Sequence, residues 1–217
     1  MLKIALLGAG STVFVKRLVG DIMLTESTRD CRIALYDIDR KRLEDSAQMA
    51  ENLNRNINDN RAEISVFCGE ANRKYALEGA DFVINTVQVG GYKPCTVMDF
   101  EIPKRYGLRQ TIGDTVGIGG IFRGLRTIPA VLAFASDMEE VCPEAWFLNY
   151  TNPLAIITGA LIQGSPIKTV GLCHSVQLCV NSLLASVGME PESRDIQSLI
   201  AGINHMAWLL SISENGQ

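Results

Sequence analysis

Short apolar runs alternate along the chain with longer stretches whose apolar residues recur at helical spacing. Runs near 2–7, 32–36, 63–67, 81–86, 145–149 and 168–172 read as strands buried on both faces. Stretches near 12–24, 40–58, 71–78, 95–106, 120–140, 153–163 and 176–187 read as helices. This alternation predicts an α/β fold with a Rossmann-like, doubly wound parallel sheet.

Local signals mark several ends. Ser11-Thr12 and Asp39 are candidate caps for the first two helices, and Asn152 precedes Pro153 where another helix opens. Gly188 follows the last helix as a natural stop. Segments 196–203 and 206–213 read as strands of a second sheet region, broken at Asn204-His205, and the chain closes on polar, turn-like residues. The expected organisation is a dinucleotide-binding domain over 1–195. Residues 196–217 then begin an α+β catalytic domain whose remainder the chain does not carry.

Composition narrows the classes. The chain has 217 residues, 47% apolar and 20% charged, as in ordinary globular domains. A net charge of −4 gives no electrostatic case for nucleic acid, and Lys16-Arg17 and Arg40-Lys41-Arg42 are short solvated clusters. No apolar run approaches the roughly 20 residues of a membrane span, so no membrane partner is expected. The opening apolar run is too short for a signal peptide, and a cytoplasmic location is expected. Six cysteines (31, 68, 95, 142, 173, 179) show no CxxC pair and read as reduced thiols. Cys31, Cys68 and Cys142 are expected to be small buried hydrophobes.

Candidate chemistry begins at Ile4-Ala5-Leu6-Leu7-Gly8-Ala9-Gly10-Ser11-Thr12, a strand running into a glycine turn and a helix. Gly8 permits a tight turn and Gly10 lets backbone approach a pyrophosphate at the helix N-terminus. The third glycine of that fingerprint is replaced by Val13, which predicts looser helix–strand packing. Asp37, closing the second strand, is placed to bond a ribose hydroxyl and to repel a 2′-phosphate, which favours NAD over NADP; Arg40 is a nearby cation. The bland alternative is a glycine turn with two capping aspartates. Gln88, in the Gly-rich segment after the fourth strand, lies where such sheets bind ligands.

Further along, Cys173 and His205 each follow an apolar run, and thiolate with imidazole suits a divalent transition metal. A core role for the thiol is the competing reading. His174 is a ligand, a proton donor or a surface residue. Asn152 caps a helix or offers its amide to a sugar hydroxyl, and Asp114, in the Gly-rich loop 111–120, is a candidate acid.

These segments, with Gly90-Gly91-Tyr92, Gly113-Asp114-Thr115, Asn149-Tyr150-Thr151-Asn152-Pro153, Gly171-Leu172-Cys173-His174-Ser175 and Gly202-Ile203-Asn204-His205, occur in the order seen in glycoside hydrolase family 4. The chain most resembles its melibiase-type α-galactosidase branch. The resemblance implies a sheet laid out as in lactate/malate dehydrogenases. It also implies an NAD- and Mn²⁺-dependent glycosidase, the exception to two-carboxylate glycoside hydrolysis. It implies oxidation at sugar C3, removal of the C2 proton, elimination of the aglycone, addition of water and re-reduction, with Mn²⁺ bridging the C2 and C3 oxygens. Carried over by motif, Cys173 and His205 match metal ligands and Asn152 a substrate-binding asparagine. The general acid is Asp114 or His174. Phosphoglycosidase relatives carry aspartate where this chain has His174, which speaks against a 6-phosphosugar. The resemblance also implies a homo-oligomer in a longer form, and a tyrosine base in a second half that this chain lacks. None of its tyrosines (36, 75, 92, 106, 150) takes that role by motif. The alternatives are a metal-free, lactate/malate-type 2-hydroxyacid dehydrogenase and an inactive NAD-binding remnant.

Overall fold

The computed structural model describes residues 1–110, 117–189 and 195–216. Six strands form one parallel sheet: β1 (Leu2–Leu7), β2 (Cys31–Asp37), β3 (Glu63–Cys68), β4 (Phe82–Asn85), β5 (Trp146–Asn149) and β6 (Lys168–Gly171). Their order, β3-β2-β1-β4-β5-β6, is the doubly wound Rossmann order, with its reversal between β1 and β4. The expected fold class holds, and each predicted strand end lies within one residue of the observed one. Crossovers are made by helices α1 (Thr12–Leu24), α2 (Arg40–Ile57), α3 (Arg73–Leu77), α4 (Val97–Arg105), α5 (Ile118–Val141) and α6 (Leu154–Gly164), and α7 (Ser175–Ser186) follows β6.

The two faces of the sheet follow from side-chain alternation along each strand. Ala5 and Leu7 of β1 pack with Val83, Phe147 and the α5 residues Val131, Ala135 and Met138. Ile4 and Leu6 point the other way, onto Val15 and Val19 of α1 and Leu43 and Ala47 of α2. Burial on both faces fails at the edges, however. In β3 Glu63, Ser65 and Val66 are exposed, because an edge strand is covered on fewer sides. Cys31 and Cys142 are buried as expected, but Cys68, at the end of that edge strand, is only partly so.

Helix α5 corrects another expectation. Its 24 residues are long and apolar enough, by length and composition, to cross a membrane. Here its apolar side is the sheet's cover, and Arg126 and Asp137 on the same helix form ion pairs with Asp99 and Arg73.

The helix ends show where side chains and backbone share the capping. Asp39 accepts the Arg42 N–H at 3.1 Å, as its cap position predicts. Ser11 is the cap residue of α1, but through its carbonyl, which accepts the Val15 N–H at 3.0 Å, and not through its hydroxyl. Pro153, not Asn152, is the cap residue of α6; Asn152 acts one step earlier, its Oδ1 accepting the Leu154 N–H at 3.2 Å. Gly188 ends α7 with φ +75°, its N–H on the Ala185 carbonyl.

Beyond the parallel sheet, β7 (Ile196–Ile203) and β8 (Met206–Glu214) form an antiparallel hairpin of their own. Ile203 pairs with Met206, so Asn204 and His205 are its two-residue turn.

Candidate cofactor and metal site

All six parallel strands deliver their carboxyl ends to one edge, and the predicted site residues Gly8, Gly10, Asp37, Gln88, Asn152 and Cys173 emerge there from five different strands. Crevices outside such an edge, at the β1/β4 reversal, are where ligands of this architecture bind.

The glycine turn is held from within. Gly8 and Ala9 donate to the Tyr36 carbonyl at 3.0 and 2.9 Å, and Ser11 donates to the Gly8 carbonyl at 3.1 Å. Gly10 donates to Asp37 Oδ2 at 2.7 Å. A Cβ on Gly8 would stand 2.8 Å from the Val87 nitrogen, with φ at +86°; one on Gly10 would stand 2.7 Å from Asp37 Oδ2. The absent side chains therefore admit the segment after β4 and Asp37 to the turn. With the turn's own donors engaged, the N–H groups of Thr12, Val13 and Phe14, which have no intrahelical acceptor, are those that can meet a pyrophosphate. Val13 is 62% exposed, and α1 packs through fully buried Val15 and Val19. The missing third glycine therefore does not loosen the helix, contrary to expectation.

Asp37 also accepts the Asp39 N–H on Oδ1 at 3.0 Å. Two bonds leave lone pairs on both oxygens for a ribose diol. Arg42, which sequence reasoning passed over, donates from Nε to the Gly10 carbonyl at 3.1 Å. Its signal was slight: a basic residue in the first turn of a helix capped by Asp39. Arg40, the other nearby cation, sits on the exposed face of α2 beside Glu44 at 3.8 Å.

Past β4, the exposed Gln88 side chain donates to Thr96 at 3.0 Å. Past β5, Asn152 has committed Oδ1 to Leu154, which leaves its Nδ2 donor for a hydroxyl.

At the end of β6, Cys173 Sγ lies 3.7 Å from His205 Nε2, 3.0 Å from Ser175 Oγ and 3.4 Å from the Ser175 nitrogen. Burial pushes the Cys173 thiol up, but hydrogen bonds from the Ser175 hydroxyl and N–H, His205 and Asn204 outweigh it. The thiol is left below its ordinary value. A thiolate and an imidazole on one zinc ion, at about 2.3 and 2.0 Å in a tetrahedral arrangement, stand about 3.5 Å apart, a spacing of the size that two ligands of one divalent ion show. The observed spacing and the lowered thiol pKa fit a metal. Among the described residues no set of three His, Cys, Asp or Glu forms.

His174 occupies the cap position of α7, exposed and without a side-chain cap bond. Asp114 lies outside the described residues.

Residues 3–190 match the pattern described as "Family 4 glycosyl hydrolase". An α-galactosidase of Bacillus subtilis (strain 168) is 58% identical over 216 residues, covering 100% of this chain and 49% of that protein. The Bacillus subtilis protein lplD has a similar crystal structure, with a TM-score of 0.84 and 32% identity over 98% of this chain and 48% of its own. A 6-phospho-α-glucosidase from gut microorganisms, solved in complex with NAD and Mn²⁺, has a TM-score of 0.86 over 100% of this chain and 48% of its own. At 24% identity that likeness shows the fold alone. The chain spans about half the length of the relatives it matches.

Proposed function

Because the chain belongs to family 4 of the glycosyl hydrolases, we propose that it carries the NAD- and Mn²⁺-binding portion of a glycosidase that acts on α-galactosides. The 58% identity to an α-galactosidase supports the galactoside class. One observation carries the reading: Cys173 Sγ and His205 Nε2 stand 3.7 Å apart, with the thiol on the same sheet edge as the glycine turn and Asp37. A thiolate–imidazole pair beside a dinucleotide crevice suits the redox-assisted route of glycoside cleavage.

The chemistry these groups supply when bound is transient oxidation at sugar C3 and Lewis-acid polarisation, which acidify the C2 proton and let the aglycone leave by elimination. Asp37 holds the ribose through its remaining lone pairs, while Thr12, Val13 and Phe14 offer N–H groups to the pyrophosphate. Cys173 and His205 hold the metal. Asn152 presents Nδ2 to a sugar hydroxyl. His174 and Asp114 are the candidates for moving a proton to the leaving group. A lactate/malate-type dehydrogenase has no use for the thiol facing His205, so that reading is the weaker one.

The test is release of aglycone from an aryl α-galactoside in D₂O, with this segment carried in a protein of its relatives' full length, since the chain spans about half of theirs. Turnover that requires both NAD⁺ and Mn²⁺, with deuterium at C2 of the product, is the expected result. Hydrolysis indifferent to both cofactors overturns the reading. Hydroxyacid oxidation without metal assigns the chain to the dehydrogenases, and NAD binding without turnover reduces it to a binding remnant.

A further inference from the structure

The segment that follows β4 lies at the sheet edge that carries the crevice, and two of its backbone carbonyls are held from other parts of the protein. Thr151 Oγ1 donates to the Val87 carbonyl at 3.0 Å, and Arg126 Nε donates to the Val89 carbonyl at 3.1 Å. Between them the Gln88 carbonyl accepts the Gly91 N–H at 3.2 Å.

Neither anchor is itself loose. Thr151 is 4% exposed and belongs to a buried amide chain that joins β4 to β5. Asn85 Nδ2 donates to Asn149 Oδ1 at 2.9 Å, and the same oxygen accepts the Thr151 N–H at 3.1 Å. Asn149 Nδ2 in turn donates to the Thr151 carbonyl and to Thr158 Oγ1, both at 3.2 Å. Arg126 is gripped bidentately by Asp99, which is 2% exposed, at 3.1 and 2.6 Å. Buried networks satisfied in this way rigidify what they touch.

The consequence follows from the planar trans peptide. A carbonyl held on one side turns the next residue's N–H to the other. Anchoring Val87 therefore sends the Gln88 N–H away from the β5 side, and β1 with its crevice is the neighbour on β4's other side. Anchoring Val89 likewise turns the Gly90 N–H away from Arg126. We infer that Thr151 and Arg126 are positioning residues for the cofactor: by holding the Val87 and Val89 carbonyls they fix the Gln88 segment as a ready-made wall of the dinucleotide crevice. The inference rests on the NAD reading given above.

The experiment is NAD⁺ titration by calorimetry on the 217-residue chain, paired with hydrogen exchange of the amides at 86–90. Thr151→Val removes the hydroxyl at similar volume, Thr151→Ser keeps it, and Arg126→Lys keeps the charge beside Asp99 but loses the fork. Thr151→Val and Arg126→Lys should each weaken NAD⁺ binding about tenfold and speed exchange over 86–90, a loss of order of one buried hydrogen bond. Thr151→Ser should stay within about threefold of the unsubstituted chain. A lower melting temperature in Thr151→Val with unchanged NAD⁺ affinity is what a merely structural bond gives, and it overturns the inference. If the unsubstituted chain itself fails to bind NAD⁺, the cofactor reading falls first and the inference with it.

Discussion

Cys173 and His205, 32 positions apart in the chain, bring sulfur and Nε2 to within 3.7 Å of each other. The imidazole reaches that position from a hairpin turn in which His205 adopts φ +62°. Left-handed backbone at a residue with a side chain stores about 1–2 kcal/mol. Such strain persists at sites where it serves the geometry.

That strain separates stability from metal binding. Both His205→Gly and His205→Ala remove the imidazole and should lose Mn²⁺ affinity alike. The glycine variant should nonetheless be the more stable of the two by about 1 kcal/mol, because it occupies positive φ freely. Denaturant melts of the two variants check the difference.

The glycine turn makes a second claim. Gly8→Ala places a methyl against the Val87 backbone, 2.8 Å away, at φ +86°. Backbone cannot yield as a flexible side chain can, so the variant should lose about 2–3 kcal/mol of stability. NAD⁺ binding should fall with it, since the turn and the segment after β4 would move apart. Thermal melts and cofactor titration on the same sample measure both.

If Asp37 holds the ribose as proposed, it also sets the choice of dinucleotide. Its carboxylate accepts from Gly10 and Asp39 and keeps lone pairs for a ribose diol. Asp37→Ser should weaken NAD⁺ binding by about tenfold and narrow the preference over NADP⁺, because the charge that repels a 2′-phosphate is gone. Dissociation constants for the two cofactors give the ratio directly.

Burial of two thiols predicts an alkaline limit to stability. Cys31 is pushed from 9.0 to about 11, by burial first and then by Asp30; Cys142 rises from 9.0 to about 11, also chiefly by burial. Below pH 9 both folded and unfolded chains keep these protons. Between pH 9 and 11 the unfolded chain releases them and the folded chain does not, so folding stability falls as pH rises. Each thiol contributes up to about 1.4 kcal/mol per pH unit in that window. Comparing unfolding free energy at pH 8, 9, 10 and 11 with that of Cys31→Ala isolates one thiol's share, and a parallel pair of curves contradicts it.

The sheet was readable because each of its strands is a short apolar run, and alternation along β1 sends Ile4 and Leu6 to one face and Ala5 and Leu7 to the other. Exposure of Glu63, Ser65 and Val66 was not readable, since strand order, not local sequence, makes β3 an edge. The extent of α5 was read nearly whole, near 120–140 against Ile118–Val141, but its glycines, Pro129 and charges interrupt an apolar count and hid that the helix is apolar enough to cross a membrane. Within the site, residue types stood out and partners did not. Cys173 and His205 were visible as donors, but their approach depends on a hairpin turning back toward β6. The Asn85–Asn149 and Arg126–Val89 bonds join residues 64 and 37 positions apart, and no local pattern announces such bonds.

If Cys173 and His205 hold a divalent metal beside the dinucleotide crevice, Mn²⁺ binds through them. Titration of Mn²⁺ into the 217-residue chain with NAD⁺ present, followed by the loss of the free-ion electron paramagnetic resonance signal, tests it most directly. The account predicts a single saturable site whose affinity falls at least about tenfold in Cys173→Ser, by analogy with the loss from disturbing even a ligand's supporting contacts. Equal Mn²⁺ affinity in the unsubstituted chain and Cys173→Ser would contradict it.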